Sequence, residues 1–488
     1  MANRLFEPLS EEELRRVHDA SLQILEQGGI QFTLPEAQAV FRQAGLQVDR
    51  EGVVRFPAAV VEEAVRKTPR QFTREALHPS YPPVRYGAGE LSFTSSSTTL
   101  YVLDHGSTRL RPATIQDTAD FARLADALPG FGCANGGVWS QEIPPPVFHA
   151  LYFELMVKNT AKPIPAGDVL NPTVARDLIR LAEIVSGGGE ELARKKSFSL
   201  TSCPAGKGRW GANALAFIEG AKAGLVLKIT PMPFAGSTHP VTLAGLLAQT
   251  NAEILSCVVL IQLSAPGAPV LYTPYPGIMD MGAATHCCGT PETALAGAAF
   301  AQLARWYGIP SNITAGTPDA KLPDAQAAYE KMMTALPPVL AGADEIGLFG
   351  GMLGAADSVS FEQLAIDDEL AGNIRRIARG FEVSEETLAV GAILQVPAGG
   401  NFLEHEHTLR HFRQEHYRPT LADRASRQAW ECAGATTILE RAAERVRRIL
   451  AEHHPPGLAP ETERELEKEI RSICAREGVD YHPWRPKW

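Results

Sequence analysis

From about residue 131 onward the chain alternates short apolar or small-residue runs with helix-length segments, and this alternation restricts the fold more than any other feature. The short runs lie at 131–139, 162–168, 197–203, 225–231, 269–274, 310–316, 345–350 and 359–364. Helical patterns fill most of the gaps, at 172–186, 210–221, 241–263, 291–307 and 323–336. Alternation of this kind is expected of parallel βα units. Eight units predict an α/β protein built on a (β/α)8 TIM barrel. The helix after the seventh run is short, and the eighth, "SFEQLAIDDE", fits a helix as well as a strand.

The flanks read as extensions of that barrel. Residues 1–130 carry helical patterns at 10–27, 34–45 and 57–67, the first opened by a capping box of Ser10 and Glu13, then β-rich stretches joined at His105-Gly106. The barrel is expected over 131–400. A C-terminal helical extension over 401–488 holds a charged helix at 421–452, a Pro455-Pro456 break and a last helix at 460–476. No linker composition separates these parts.

Composition narrows the function. Of 488 residues, 45% are hydrophobic and 21% charged, as in a soluble enzyme rather than a disordered chain. A net charge of −10 argues against a nucleic-acid partner, which would need clustered Lys and Arg. The longest apolar run, Ile254 to Leu263, is about half a membrane span and predicts a buried helix, not a membrane protein. The N-terminal stretch has no basic-then-apolar signal pattern, so a cytoplasmic location is expected. The scattered, odd set of 7 cysteines predicts reduced thiols.

In a barrel the site lies at the C-terminal ends of the strands. Those ends carry Trp139, Asp168, Cys203, Met232, Phe234, Tyr272, Tyr275, Thr317, Phe349 and Glu362. Aromatic faces with nearby negative charge suit a quaternary ammonium, which cannot donate a hydrogen bond. The plainer reading is that the rings fill the core. Gly350 and Gly351 in "FGGMLGAA" could hold an anion through free N–H groups, or make a tight packed turn. His405, His407, His411 and His416 form a second group; exposed polar histidines are the commoner reading, with His407 the one expected to reach the mouth. "THCCGTPET" resembles the cysteine pair of zinc-dependent homocysteine methyltransferases, although here it precedes a helix capped at Thr290-Pro291. A zinc-dependent thiol methyltransferase and a non-enzymatic quaternary-amine binding barrel both stay open.

Four longer stretches, "GAPVLYTPYPGIMDMGAAT", "AGTPDAKLPDAQAAYEK", "SFEQLAIDDE" and "GGNFLEHEHTLRHFR", together resemble the trimethylamine methyltransferase superfamily over almost the whole chain. The resemblance implies the same barrel and a corrinoid-dependent methyl transfer. In the archaeal trimethylamine enzymes pyrrolysine stands at the end of the sixth strand, and Thr317 falls at or within one residue of that place. The branch lacking pyrrolysine is associated with demethylation of quaternary amines such as glycine betaine. On that reading the nucleophile is Co(I) of cobalamin on a separate corrinoid protein, and this chain needs no metal of its own. Trp139, Phe234, Tyr275 and Phe349 would then cage the cation, with Glu362 beside them. Gly350 and Gly351 or His407 would place a carboxylate arm, and Thr317 would line the floor. Apolar helices at both ends suggest a homo-oligomer.

Overall fold

The computed structural model describes residues 6–96, 99–168 and 171–485, the side chains of 166–168 excepted. Seven strands form its centre: β1 (Ser92–Ser95), β2 (Ile164–Asp168), β3 (Phe198–Ser202), β4 (Val226–Ile229), β5 (Val270–Tyr272), β6 (Asn312–Thr314) and β7 (Glu345–Gly350). β2, β3, β4 and β5 pair in that order, and β6, β7 and β1 make a second ladder, all of them parallel. Single parallel bridges join Tyr272 to Ser311 and Thr94 to Cys133. Beyond Cys133, the Ala134 N–H donates to the Pro163 carbonyl at 3.2 Å. Strands β4, β5 and β6 are buried at every residue, which explains why "VLKI", "VLY" and "NIT" read as short continuous runs without polar alternation.

Helices pack around these strands, and their starts follow local chemistry. Asn171, Thr290 and Asp324 cap helices Pro172–Ser186, Pro291–Tyr307 and Ala325–Leu340, while Gly187 and Gly308 end the first two in the left-handed region. Helix Leu243–Ser264 runs well beyond its apolar second half. Its 22 residues are long and apolar enough to cross a membrane, but 83% of its most apolar window is buried against neighbouring helices such as Glu11–Gln23 and Ala58–Lys67.

Two strand expectations change. The 359–364 segment is mainly helical: Ser358–Val359 makes a short antiparallel pair, then the Ser360 side chain caps helix Phe361–Arg379. The remaining central strand comes from Ser92–Ser95, upstream of 131, where it pairs with β7. The 131–139 run makes only isolated bridges, at Cys133 and Val138, interrupted by Gly136 and Gly137, the latter at φ +70°. At the C-terminus the charged helix begins at Ile438, not 421. Helix Ile438–Glu452 packs on Phe361–Arg379, and Pro460–Arg476 packs on Pro172–Ser186.

The N-terminal ends of the strands are covered by a hairpin, Phe72–Arg74 with Val84–Tyr86. Phe72, Val84 and Tyr86 pack on Cys133, Val226 and Leu271. Arg74 is fully buried and donates to the carbonyls of Ile164 (2.9 Å), Ser197 (3.0 Å) and Lys196 (3.2 Å). Arg74→Met strands these buried acceptors, so urea unfolding should show a loss of about 3 kcal/mol or more. A loss below about 1 kcal/mol would mean that Arg74 does not tie the hairpin to the strands.

Candidate active site

A cavity of about 130 Å³ opens at the C-terminal ends of the strands, and every central strand contributes to it. Its lining includes Thr94 from β1, Pro165 from β2, Thr201 and Cys203 at β3, Lys228, Thr230 and Met232 at β4, and Thr273 and Tyr275 at β5. Asn312 and Thr314 from β6, Gly347 and Leu348 from β7, and Asn135 complete it below a wall of Trp139, Phe148, His149 and Tyr152. The spacing of two along β4, β5 and β6 is that of one strand face. The volume equals roughly four water molecules, enough for a small organic cation. A larger cleft of about 720 Å³, lined by Arg70, Arg305, Arg375 and Arg379 among others, lies by residues that precede β1, β6 and β7, at the opposite ends of the strands.

The floor is polar. Glu345, with no exposed surface, accepts from the Tyr86 hydroxyl at 2.5 Å, from Lys228 Nζ at 3.3 Å and from the Asn312 amide. Burial alone would raise its carboxyl pKa; Lys228, Arg74 and the Tyr86 hydrogen bond outweigh that and hold it below the usual value. Above it, Leu348 adopts φ +54°, a conformation costing a bulky residue about 1–2 kcal/mol. The register of β7 against β1 shifts there, and the Leu348 N–H donates to Thr94 Oγ1 at 3.0 Å.

The wall is aromatic and uncharged. Trp139 lies 4.8 Å from Phe148 between ring centroids, and Phe148 stacks on Tyr152 at 5.6 Å. Burial pushes the His149 imidazole down to about 4, so it is neutral at pH 7. The Tyr275 and Thr317 hydroxyls are buried without a well-formed hydrogen bond, and both border Cys288. Cys288 Sγ is 3.0 Å from His286 Nε2. Burial pushes this thiol up to about 12 and lowers the imidazole, so the pair is neutral near pH 7. Asp319 accepts the N–H groups of Cys288 and Gly289 at 2.9 and 3.0 Å. Among the described residues no group of three His, Cys, Asp or Glu side chains could hold a metal ion.

Of the residues singled out in the sequence, Trp139 and Tyr275 line the cavity, with Cys203 and Met232. Thr317 is buried behind Tyr275 rather than at the cavity surface. Phe234 packs on His286, with ring centroids 3.8 Å apart, outside the lining. Phe349 turns away: its ring meets Phe93 at 4.9 Å and Lys331 Nζ at 5.3 Å, because the shift at Leu348 inverts the side-chain parity of β7. Gly350 faces Phe131 and Leu364, and the Gly351 N–H already donates to Asp367 at 2.6 Å, so this turn is a packed one and its amide is not free for an anion.

Glu362 sits in the first turn of helix Phe361–Arg379, bonded to Ser360 and 3.4 Å from His105, away from the cavity. His407 lies on helix Glu406–Glu415 with Nε2 3.3 Å from the Glu386 carbonyl, and it does not reach the cavity. Tyr272 is core, donating to Asn251 at 3.1 Å. The Asp168 side chain lies outside the described residues. Sequence reasoning passed over Lys228, Glu345, Asn135, Asn312 and Leu348. Only Lys228 carried a signal, as a lysine inside the apolar run "LVLKIT".

Because the folded protein holds His149 neutral to about pH 4 while an unfolded chain protonates it near 6.5, the contribution of this group to stability is full above pH 6.5. It is lost as pH falls toward 4. His149→Gln should therefore flatten part of the decline in melting temperature between pH 6.5 and 4, and an unchanged slope would place the titration elsewhere.

Comparison with known proteins gives the family. The profile described as "Trimethylamine methyltransferase (MTTB)" matches residues 2–475. The trimethylamine methyltransferase MttB of Desulfitobacterium hafniense (strain DSM 10664 / DCB-2) is 33% identical over 97% of this chain and 94% of its own length. The glycine betaine methyltransferase of Desulfitobacterium hafniense (strain Y51) is also 33% identical, over 97% of each chain. The trimethylamine methyltransferase MttB of Methanosarcina barkeri is 35% identical over 91% of this chain and 90% of its own. The crystal structure of the Methanosarcina barkeri monomethylamine methyltransferase MtmB shares the fold, with a TM-score of 0.53 at 12% identity, over 93% of this chain and 89% of that one. The fold is thus a mixed α/β one, and the chain belongs to the trimethylamine methyltransferase family.

Proposed function

We propose that this chain moves a methyl group from a quaternary amine, glycine betaine or a related betaine, to a corrinoid borne on a separate protein. The observation that carries the reading is the cavity itself: an aromatic wall of Trp139, Phe148, Tyr152 and Tyr275, with no carboxylate among its described lining residues and with a neutral His149. Such a wall attracts a fixed cation through the ring faces. The wall itself offers no carboxylic acid or imidazolium to protonate a leaving amine. A quaternary ammonium needs none, because the C–N electron pair departs with nitrogen and leaves a neutral tertiary amine. Co(I) of the partner's corrinoid would supply the electron pair for the new bond to carbon. The residues of this chain hold the cation, present one methyl to the opening and exclude water.

Two further observations support this reading. A relative named for glycine betaine is 33% identical to this chain, within the 33–35% of those named for trimethylamine. At Thr317, the place that resembles the pyrrolysine position of the trimethylamine enzymes, the encoded residue is a small hydroxyl that cannot form an adduct with the amine. The seven strands and the 131–135 segment would close into the eight-membered barrel through their bridges, the barrel then starting at Ser92. Homo-oligomer contacts would use the exposed apolar segment at 381–412, where Leu394 and Leu403 are 80% and 77% exposed.

Incubated with Co(I)-cobalamin and glycine betaine, the purified chain should discharge the Co(I) absorbance and form dimethylglycine in equal amounts. Trimethylamine should give no such change, and turnover of trimethylamine alone would overturn the reading. Trp139→Ala should weaken glycine betaine binding by roughly 1–2 kcal/mol, about 5- to 30-fold, in calorimetric titration. Unaltered affinity would remove Trp139 from the cage.

A further inference from the structure

Among the described residues Lys228 is the one charged side chain in the cavity lining, and it is deeply set, at 8% exposure. Its ammonium carries three donors, and among the described residues it makes one hydrogen bond, to Glu345 at 3.3 Å. Glu345 is shared: Tyr86 and Asn312 also donate to it. The Arg74 guanidinium adds a second positive charge behind Glu345, but its donors go to three backbone carbonyls and to Cys133 Sγ. The described charges at the floor are thus two cations, Arg74 and Lys228, against one carboxylate, Glu345, an excess of one positive charge. Two residues along the same strand face, Thr230 lines the cavity at 8% exposure, and its hydroxyl has no partner among the described residues. A buried cation with spare donors beside an unpartnered hydroxyl is half of an anion site.

We propose that Lys228 and Thr230 bind the carboxylate of the substrate and so select zwitterionic betaines over simple quaternary cations. The inference rests on the methyl-transfer reading and deepens it by naming the second recognition element of the same cavity. The carboxylate accepts from Lys228 Nζ with one oxygen and from Thr230 Oγ1 with the other. The ammonium, repelled from the positive floor, lies toward Trp139 and Tyr275. The two ends of the cavity therefore fix the direction of the ligand and turn the N-methyl groups outward, toward the opening.

The test uses three ligands in calorimetric titration of the full chain: glycine betaine, with both groups; tetramethylammonium, the cation alone; and 3,3-dimethylbutyrate, a carboxylate with an uncharged tert-butyl group in place of the ammonium. Lys228→Met should lower affinity for both carboxylates on the order of 10- to 100-fold and leave tetramethylammonium within about twofold or tighter. Thr230→Val should act in the same direction and more weakly. Lys228→Met/Glu345→Gln removes both partners, so a loss of carboxylate binding that persists there, with a retained thermal transition, separates recognition from damage to the fold. Carboxylate affinities that survive Lys228→Met, or fall no more than the affinity for tetramethylammonium, overturn the proposal, as does a wild-type chain that binds neither carboxylate. Equal wild-type affinity for 3,3-dimethylbutyrate and glycine betaine would instead count against ammonium recognition, while the Lys228 dependence of both still decides the anchor.

Discussion

The buried carboxylate of Glu345 is the point on which the rest of the structure turns. It opens β7, receives Lys228 from β4 and Asn312 from β6, and is held from below by Tyr86 of the N-terminal hairpin. A carboxylate with no exposed surface is costly unless its lone pairs are filled, so these three donors are fixed in place together. One ionised group thereby joins the hairpin, three strands and the cavity floor. The hairpin is consequently part of the central architecture: its Arg74 crosses to the backbone at the starts of β2 and β3, and its Phe72 and Tyr86 seal the apolar layer beneath the cavity.

Above that floor, the cavity changes character within a few residues. The ionic layer gives way to threonine and asparagine side chains, and these to the rings of Trp139, Phe148, Tyr152 and Tyr275. Burial keeps the titratable groups near the rings neutral: His149 loses its proton, while Cys288 and Tyr275 keep theirs. Buried, uncharged walls strengthen the attraction between a ring face and a fixed cation, because the local dielectric is lower than in water. Leu348 narrows the cavity from β7 in a strained left-handed conformation that the Thr94 hydrogen bond helps to hold. Strain of this kind persists only where surrounding structure over-determines the backbone, and it tends to gather at sites.

Much of the framework could be read from the chain. The spacing of apolar runs located six of the eight segments expected to be strands, and Thr290-Pro291 and Asp324 open their helices, and Gly308 ends one, through capping chemistry that is local in sequence. Ser92–Ser95 escaped because its residues are small and polar, with a pattern shared by surface hairpins, and only pairing with β7 buries it. "SFEQLAIDDE" was ambiguous for the opposite reason: an apolar start suits either state, and the Ser360 cap together with packing of Leu364 and Ala365 settled the helix. Trp139 and Tyr275 were legible as strand-end aromatics. Phe349 was not, since a single left-handed residue before it reverses the side-chain alternation.

What the sequence determined by itself was everything carried by short-range physics: alternating strands and helices, capped helix starts, a net charge of −10, and a set of motifs that resembles one family from end to end. What only the tertiary structure decided was which side chains meet. His407 and Glu362 were drawn away to helix Glu406–Glu415 and a helix start, while Lys228 and Thr230, two residues apart at the end of β4, meet the distant Glu345 at the cavity floor. The reason is that burial and charge pairing are long-range terms. A lysine inside an apolar strand acquires its meaning from the carboxylate 117 residues later that the fold sets beside it.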